Sequence, residues 1–144
     1  MAPSDPHLRM SRLGFVVATY HGPLIEEMVQ QASDRAAELN ASVAATHEVT
    51  GVYDTVLPAD RLARREDIDA VVVIGAIITG ETRHDAVIGH AVAMNLQRVS
   101  LEQDTPVTLG ITGPGMDADE ARDRVDYAAS AVEAAVELVT ELDD

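Results

Sequence analysis

Val71-Val-Val-Ile-Gly-Ala-Ile-Ile78 is an apolar run with no polar position, and its reading decides the fold. A strand wetted on one face alternates apolar with polar residues. A strand apolar at every position needs cover on both faces, as in a parallel sheet between helices. Leu13-Gly-Phe-Val-Val-Ala-Thr19 reads the same way, and Pro106-Val-Thr-Leu-Gly-Ile111 predicts another strand, broken by Gly113-Pro-Gly115. A further strand is expected over Ser42 to Val49, with a turn at Gly51. The intervening segments carry helical spacing. Pro23 opens one such pattern, with Leu24, Ile25, Met28, Val29, Ala32, Ala36 and Leu39 apolar and Asn40 at its end. Proline suits a first helical turn, where its missing N–H has no partner to lose. Further helices are expected over Leu57 to Arg65 and from about Arg83 to Leu96. A last helix starts near Asp117 or Ala118 and runs almost to the C-terminus, with Ala121, Val125, Ala128, Ala129, Val132, Ala135, Val136 and Val139 on its apolar side.

Strand and helix thus alternate four times. This predicts an α/β three-layer sandwich of flavodoxin-like type, a four-stranded parallel sheet flanked by helices. The 144 residues form one domain, with residues 1–11 expected as a flexible tail. There is no cysteine, which excludes disulfides, thiolate metal sites and cysteine nucleophiles. Net charge is −15, and all ten basic residues are arginine. Nucleic acid is excluded as a partner, because neutralising phosphates needs a basic face. Many carboxylates with no lysine suit a salt-rich medium, where ~1 M salt shortens the Debye length to ~3 Å. Any anionic ligand must then be held by local donors. No apolar stretch reaches membrane-spanning length and no signal-peptide core is present, so a cytoplasmic protein with no membrane partner is expected.

Ligands of such sheets bind beyond the carboxyl ends of the strands, which directs attention past Thr19, Val49, Ile78 and Ile111. The richest segment is Gly75-Ala-Ile-Ile-Thr-Gly-Glu-Thr-Arg-His84. Gly80, Glu81 and Thr82 fall where a helix begins, and the unpaired N–H groups of such a turn suit a phosphate. His84, just inside the helix, is a proton carrier within reach of the same ligand. By spacing alone the segment reads first as an ordinary turn capped by Thr82, with His84 at the surface. No His/Asp/Glu spacing argues for a metal.

Gly-Ala-Ile-Ile-x-Gly-Glu-Thr-x-His resembles the hallmark segment of the lumazine synthases, and the likeness extends over nearly the whole chain. It implies that Gly80, Glu81 and Thr82, with Ile77 and Ile78 beside them, hold a sugar phosphate, and that His84 moves protons. Ala18-Thr-Tyr-His21 places Tyr20 where that family stacks an aromatic on a pyrimidine, with His21 in place of a usual asparagine. Val49-Thr-Gly-Val-Tyr-Asp54 is similar to the family's Val-Pro-Gly-Ala-Phe-Glu. It implies that Gly51, Val52 and Tyr53 line the site and that Asp54 contacts a ribityl chain. Helix N-capping is the other reading of Asp54. Leu109 takes a site-lining position near the uracil, or packs in the core. Arg124 takes the place of a phosphate-binding arginine if Gly113-Pro-Gly115 carries one extra residue; Arg122 is the alternative. The Val-Asp-Tyr-Ala-Ala-Ser130 segment lacks the lysine that many relatives carry there.

The resemblance implies condensation of 5-amino-6-(D-ribitylamino)uracil with 3,4-dihydroxy-2-butanone 4-phosphate. The amine forms a Schiff base with the ketone, phosphate and water leave, and the ring closes. No cofactor is implied, so juxtaposing the substrates would be the main catalytic effect. It further implies a homopentamer with sites between subunits, and in some members a 60-subunit shell. Three rivals share the architecture. An archaeal-type riboflavin synthase would act on lumazine, which has no phosphate for Gly80–Thr82 and Arg124. A receiver domain needs acidic residues where Thr19-Tyr20-His21 stands. A flavodoxin-like protein would carry flavin colour.

Overall fold

A computed structural model describes residues 10–78 and 84–143. In chain order the elements are β1 (Arg12–Ala18), α1 (Gly22–Glu38), β2 (Ser42–Val49), a 3-10 turn (Val52–Asp54), α2 (Val56–Ala63), β3 (Ala70–Ile78), α3 (His84–Gln103), β4 (Val107–Met116), α4 (Ala118–Arg122) and α5 (Tyr127–Glu141). The four strands are all parallel, in the order β2-β1-β3-β4. The expected α/β sandwich is therefore present. Among the described residues no helix is long and apolar enough to cross a membrane.

The two apolar runs, β1 and β3, are the central strands, and β3 is buried from Ala70 to Ile77. Residues alternate between the sheet's two faces. Phe15, Val17, Val72 and Ile74 pack under α1 and α5 with Met28, Ala32, Ala128 and Val132. Val16, Val71, Val73 and Ile111 pack under α2 and α3 with Leu62, Val92 and Leu96. The edge strand β2 is mostly exposed, which accounts for its Thr46, His47 and Glu48. Ser11, expected in the tail, is buried, and its carbonyl accepts the Ser42 N–H at 2.9 Å.

Asn40 ends α1 as its composition predicts. It adopts φ 60°, and the next N–H, of Ala41, reaches back to the Ala36 carbonyl at 2.8 Å. Such a left-handed residue satisfies the orphan carbonyls of a last turn.

Three boundaries differ from expectation. α3 runs to Gln103 rather than Leu96, because Val99 extends the buried line of Val92 and Leu96 by another turn. β4 is not broken at Gly113 but bulges there and resumes, with Met116 opposite Ile78. Gly113 has φ +89° and precedes a cis proline, and any β-carbon on it would strike the Ile77 carbonyl. The last helix is two helices. Asp117 caps α4 by accepting the Glu120 N–H at 2.9 Å, and residues 123–126 turn the chain before α5. That turn lets α5 lie across the sheet. Thr108 Oγ1 donates to the Ala131 carbonyl at 2.8 Å, and a β-carbon on Gly110 would sit 3.2 Å from Ala128 Cα.

Candidate active site

The strand order reverses between β1 and β3, so the crevice of this sheet lies where their carboxyl ends diverge. The segment after β1 is laced to the segment after β2. Thr19 N–H donates to the Val49 carbonyl at 2.9 Å, and Tyr20 N–H to that of Thr50 at 3.0 Å. The Tyr20 backbone is thereby pinned while its ring stays 74% exposed. The ring meets His21 edge to face, with centroids 4.9 Å apart. Partial burial of His21 lowers its pKa from the ordinary 6.5 by penalising the charged form.

The 3-10 turn after β2 is closed by its own residues. Asp54 N–H donates to the Gly51 carbonyl at 3.0 Å, and Asp54 Oδ2 accepts the Gly51 N–H at 3.1 Å. Thr55 is buried, and its hydroxyl donates to the Val52 carbonyl at 2.7 Å. Val52 tucks into the space that Gly75 leaves, since a β-carbon there would lie 3.0 Å from Val52 Cγ2 and 3.3 Å from Ala18 Cβ. This anchor turns Tyr53, 71% exposed, and Asp54 outward. The α2 helix begins after Thr55, so the capping done by Asp54 serves the 3-10 turn and involves Oδ2.

Tyr53 and Asp54 face a groove of about 950 Å³ that runs between this turn, α2 and α3, with Leu57, Ala91, Asn95 and Arg98 among its walls. His84 is the first residue of α3 and is exposed. It stands two turns before Ala91 on the same helix face, about 10 Å along the axis. Ile77 is buried and Ile78 half-buried at the end of β3. Gly80, Glu81 and Thr82 lie outside the described residues.

The two candidate arginines have different surroundings. Arg122 is held by Asp119 at 2.6 Å, within its own short helix. Arg124 is half-buried and sends Nη1 to Met116 Sδ at 3.6 Å, toward the end of β4. Arg124 therefore sits beside the strand ends, without a carboxylate partner among the described residues.

Leu109 is 48% exposed and does not join this cluster within one chain. It lies opposite Val73, which lies opposite Val16, four residues before Tyr20. At ~3.3 Å per residue and ~4.8 Å per strand, Leu109 and Tyr20 are roughly 16 Å apart. The sequence reading missed Asn95 and Arg98 as groove residues. Arg98 fell beyond the expected end of α3, and continuing the apolar line through Val99 would have included it.

With this geometry in place, comparison with known proteins is direct. Residues 10–143 match the family profile of 6,7-dimethyl-8-ribityllumazine synthase. A protein of that name from Halobacterium salinarum is 55% identical over 133 residues, covering 92% of this chain and all of the relative. One from Halorubrum lacusprofundi is 51% identical over 134 residues, covering 93% of this chain and all of the relative. One from Methanocaldococcus jannaschii is 44% identical over 133 residues, covering 92% and 94% respectively. The chain belongs to the 6,7-dimethyl-8-ribityllumazine synthase family.

Proposed function

We propose that this protein is a riboflavin-pathway transferase. It condenses 5-amino-6-(D-ribitylamino)uracil with 3,4-dihydroxy-2-butanone 4-phosphate to give 6,7-dimethyl-8-ribityllumazine, releasing phosphate and water. The observation that carries this reading is the match over residues 10–143 to a family named for that product. The placement of Tyr20, Tyr53, Asp54 and His84 around one end of the sheet supports it.

Each residue then has a role. Tyr20 offers a flat face to the pyrimidine from a pinned backbone. Gly51, Val52 and Tyr53 shape the wall, and Asp54 Oδ1 accepts ribityl hydroxyls while Oδ2 keeps the turn closed. Gly80, Glu81 and Thr82 hold the phosphate with Arg124, whose fork suits that group. Ile77 and Ile78, at the end of β3, precede this segment in sequence. His84 relays protons as the Schiff base forms and the ring closes. Bringing two substrates together supplies much of the acceleration.

The 16 Å gap between Leu109 and Tyr20 supports a site completed by a second copy, whose Leu109 lines the uracil end. The outer face of α3 suits self-association as well. Val87, Met94 and Leu101, at seven-residue spacing, are 65%, 67% and 77% exposed, on a helix with few charges in an acidic chain. A homopentamer is the assembly proposed; its cellular setting is the cytoplasm.

The test is to supply both substrates and follow the lumazine chromophore. Absence of the chromophore would overturn the reading. Lumazine supplied alone should give no riboflavin, which separates this activity from a riboflavin synthase.

A further inference from the structure

Among the described residues five arginines are paired with carboxylates: Arg12 with Asp69, Arg35 with Glu133, Arg64 with Asp60, Arg65 with Asp67 and Arg122 with Asp119. Arg61, Arg98 and Arg124 are not, and of these Arg124 reaches the strand ends. Asp123 and Asp126 are near it in sequence, in a molecule of net charge −15, yet it forms no ion pair with either. It reaches the thioether of Met116, with Nη1 to Sδ at 3.6 Å. Met116 is the last residue of β4 and lies opposite Ile78, the last residue of β3.

A carboxylate in that place would orient the arginine and also neutralise it. A thioether is a weak, uncharged acceptor, so it steers one N–H while leaving the charge and the other four donors for an anion. The Gly113-Pro-Gly115 bulge delivers this sulfur, because β4 resumes its pairing only at Met116. We propose that Met116 is the positioning residue of Arg124, holding the guanidinium at the strand ends in an un-neutralised state ready for the phosphate of the substrate. The proposal rests on the reading that Arg124 binds that phosphate.

Met116→Leu keeps the apolar bulk and removes the acceptor. Its KM for the butanone phosphate should rise about 3- to 10-fold, and competitive inhibition by inorganic phosphate should weaken by a similar factor. Its kcat and its KM for the ribitylamino-uracil should stay within about 2-fold of wild type. Met116→Gln, which supplies a neutral amide oxygen, should restore phosphate affinity, whereas Met116→Glu should abolish it by pairing with the arginine. Thermal melting of each variant checks that it is folded. An unchanged phosphate inhibition constant in Met116→Leu would overturn the proposal, as would equal changes in both KM values. Arg124→Ala separates the two levels. If it weakens phosphate while Met116→Leu does not, only the positioning role fails; if it leaves phosphate inhibition untouched, the underlying reading of Arg124 fails too.

Discussion

His84 and His21 are two imidazoles at helix starts in different surroundings. His84 is exposed at the head of α3, and the proposed function gives it the proton relay. His84→Ala is expected to slow turnover by about 10- to 1000-fold while leaving measurable activity, since juxtaposition survives the loss of the acid–base group. A wild-type rate in a single-turnover assay would remove His84 from the proton path. His21 is partly buried behind Tyr20, and burial holds its pKa below the ordinary 6.5. Because the folded pKa is the lower one, the unfolded chain binds more protons between the two values. Stability is then highest above pH ~6.5 and falls as the pH drops through the folded pKa. Chemical denaturation of wild type and His21→Asn at pH 7.5 and pH 5 should show the wild type losing ground on acidification. Parallel losses in both proteins would show that His21 does not contribute.

At the scale of elements, α5 depends on a close seat against β4. Gly110 allows it, since an added β-carbon would lie 3.1 Å from the Val73 carbonyl and 3.3 Å from Ala131 Cβ. Gly110→Ala should therefore destabilise by about 1–3 kcal/mol through overpacking and weaken the Thr108–Ala131 bond. The same change at Gly22, where nothing lies within 4 Å, should stabilise by about 0.4–1 kcal/mol by restricting the unfolded chain. Urea midpoints measure both, and equal shifts would reject the packing argument. Strand and helix identities were legible because β3 and β1 carry unbroken apolar runs and α1 carries Pro23 and Asn40. The extent of β4 was not. Gly113-Pro-Gly115 has the chemistry of a stop, and only the neighbouring Ile77 carbonyl shows that the chain needed a bulge there.

For the whole molecule, charge and assembly set the conditions. Net charge is −15, and self-repulsion weakens as the Debye length falls from ~10 Å at 0.1 M to ~3 Å at 1 M salt. The melting temperature should rise steadily between those salt concentrations, and a flat response would show that repulsion is not limiting. If Leu109 of one copy lines the site of the next, two damaged subunits can rescue each other. Co-expressed His84→Ala and Leu109→Ser chains should recover about a quarter of wild-type activity at low uracil concentration, because a quarter of randomly mixed sites have both halves intact. Activity no higher than the mean of the two variants would place the site within one chain.

The sequence by itself determined the layers of this protein, the identity of its central strands and the candidate residues on which the proposed function draws. Those properties reside in local runs: Val71 to Ile78 has only one way to be buried, and Tyr20, Asp54 and His84 each follow a strand. The tertiary structure decided what local runs do not encode. It gave Arg122 and Arg124 different partners, the Asp119 carboxylate for one and the Met116 sulfur for the other. It assigned Asp54 to the closure of its own turn, and it put Leu109 out of reach of Tyr20. Each of these depends on a distance between residues far apart in the chain or on competition between neighbours, and such distances exist only once the sheet has set its register.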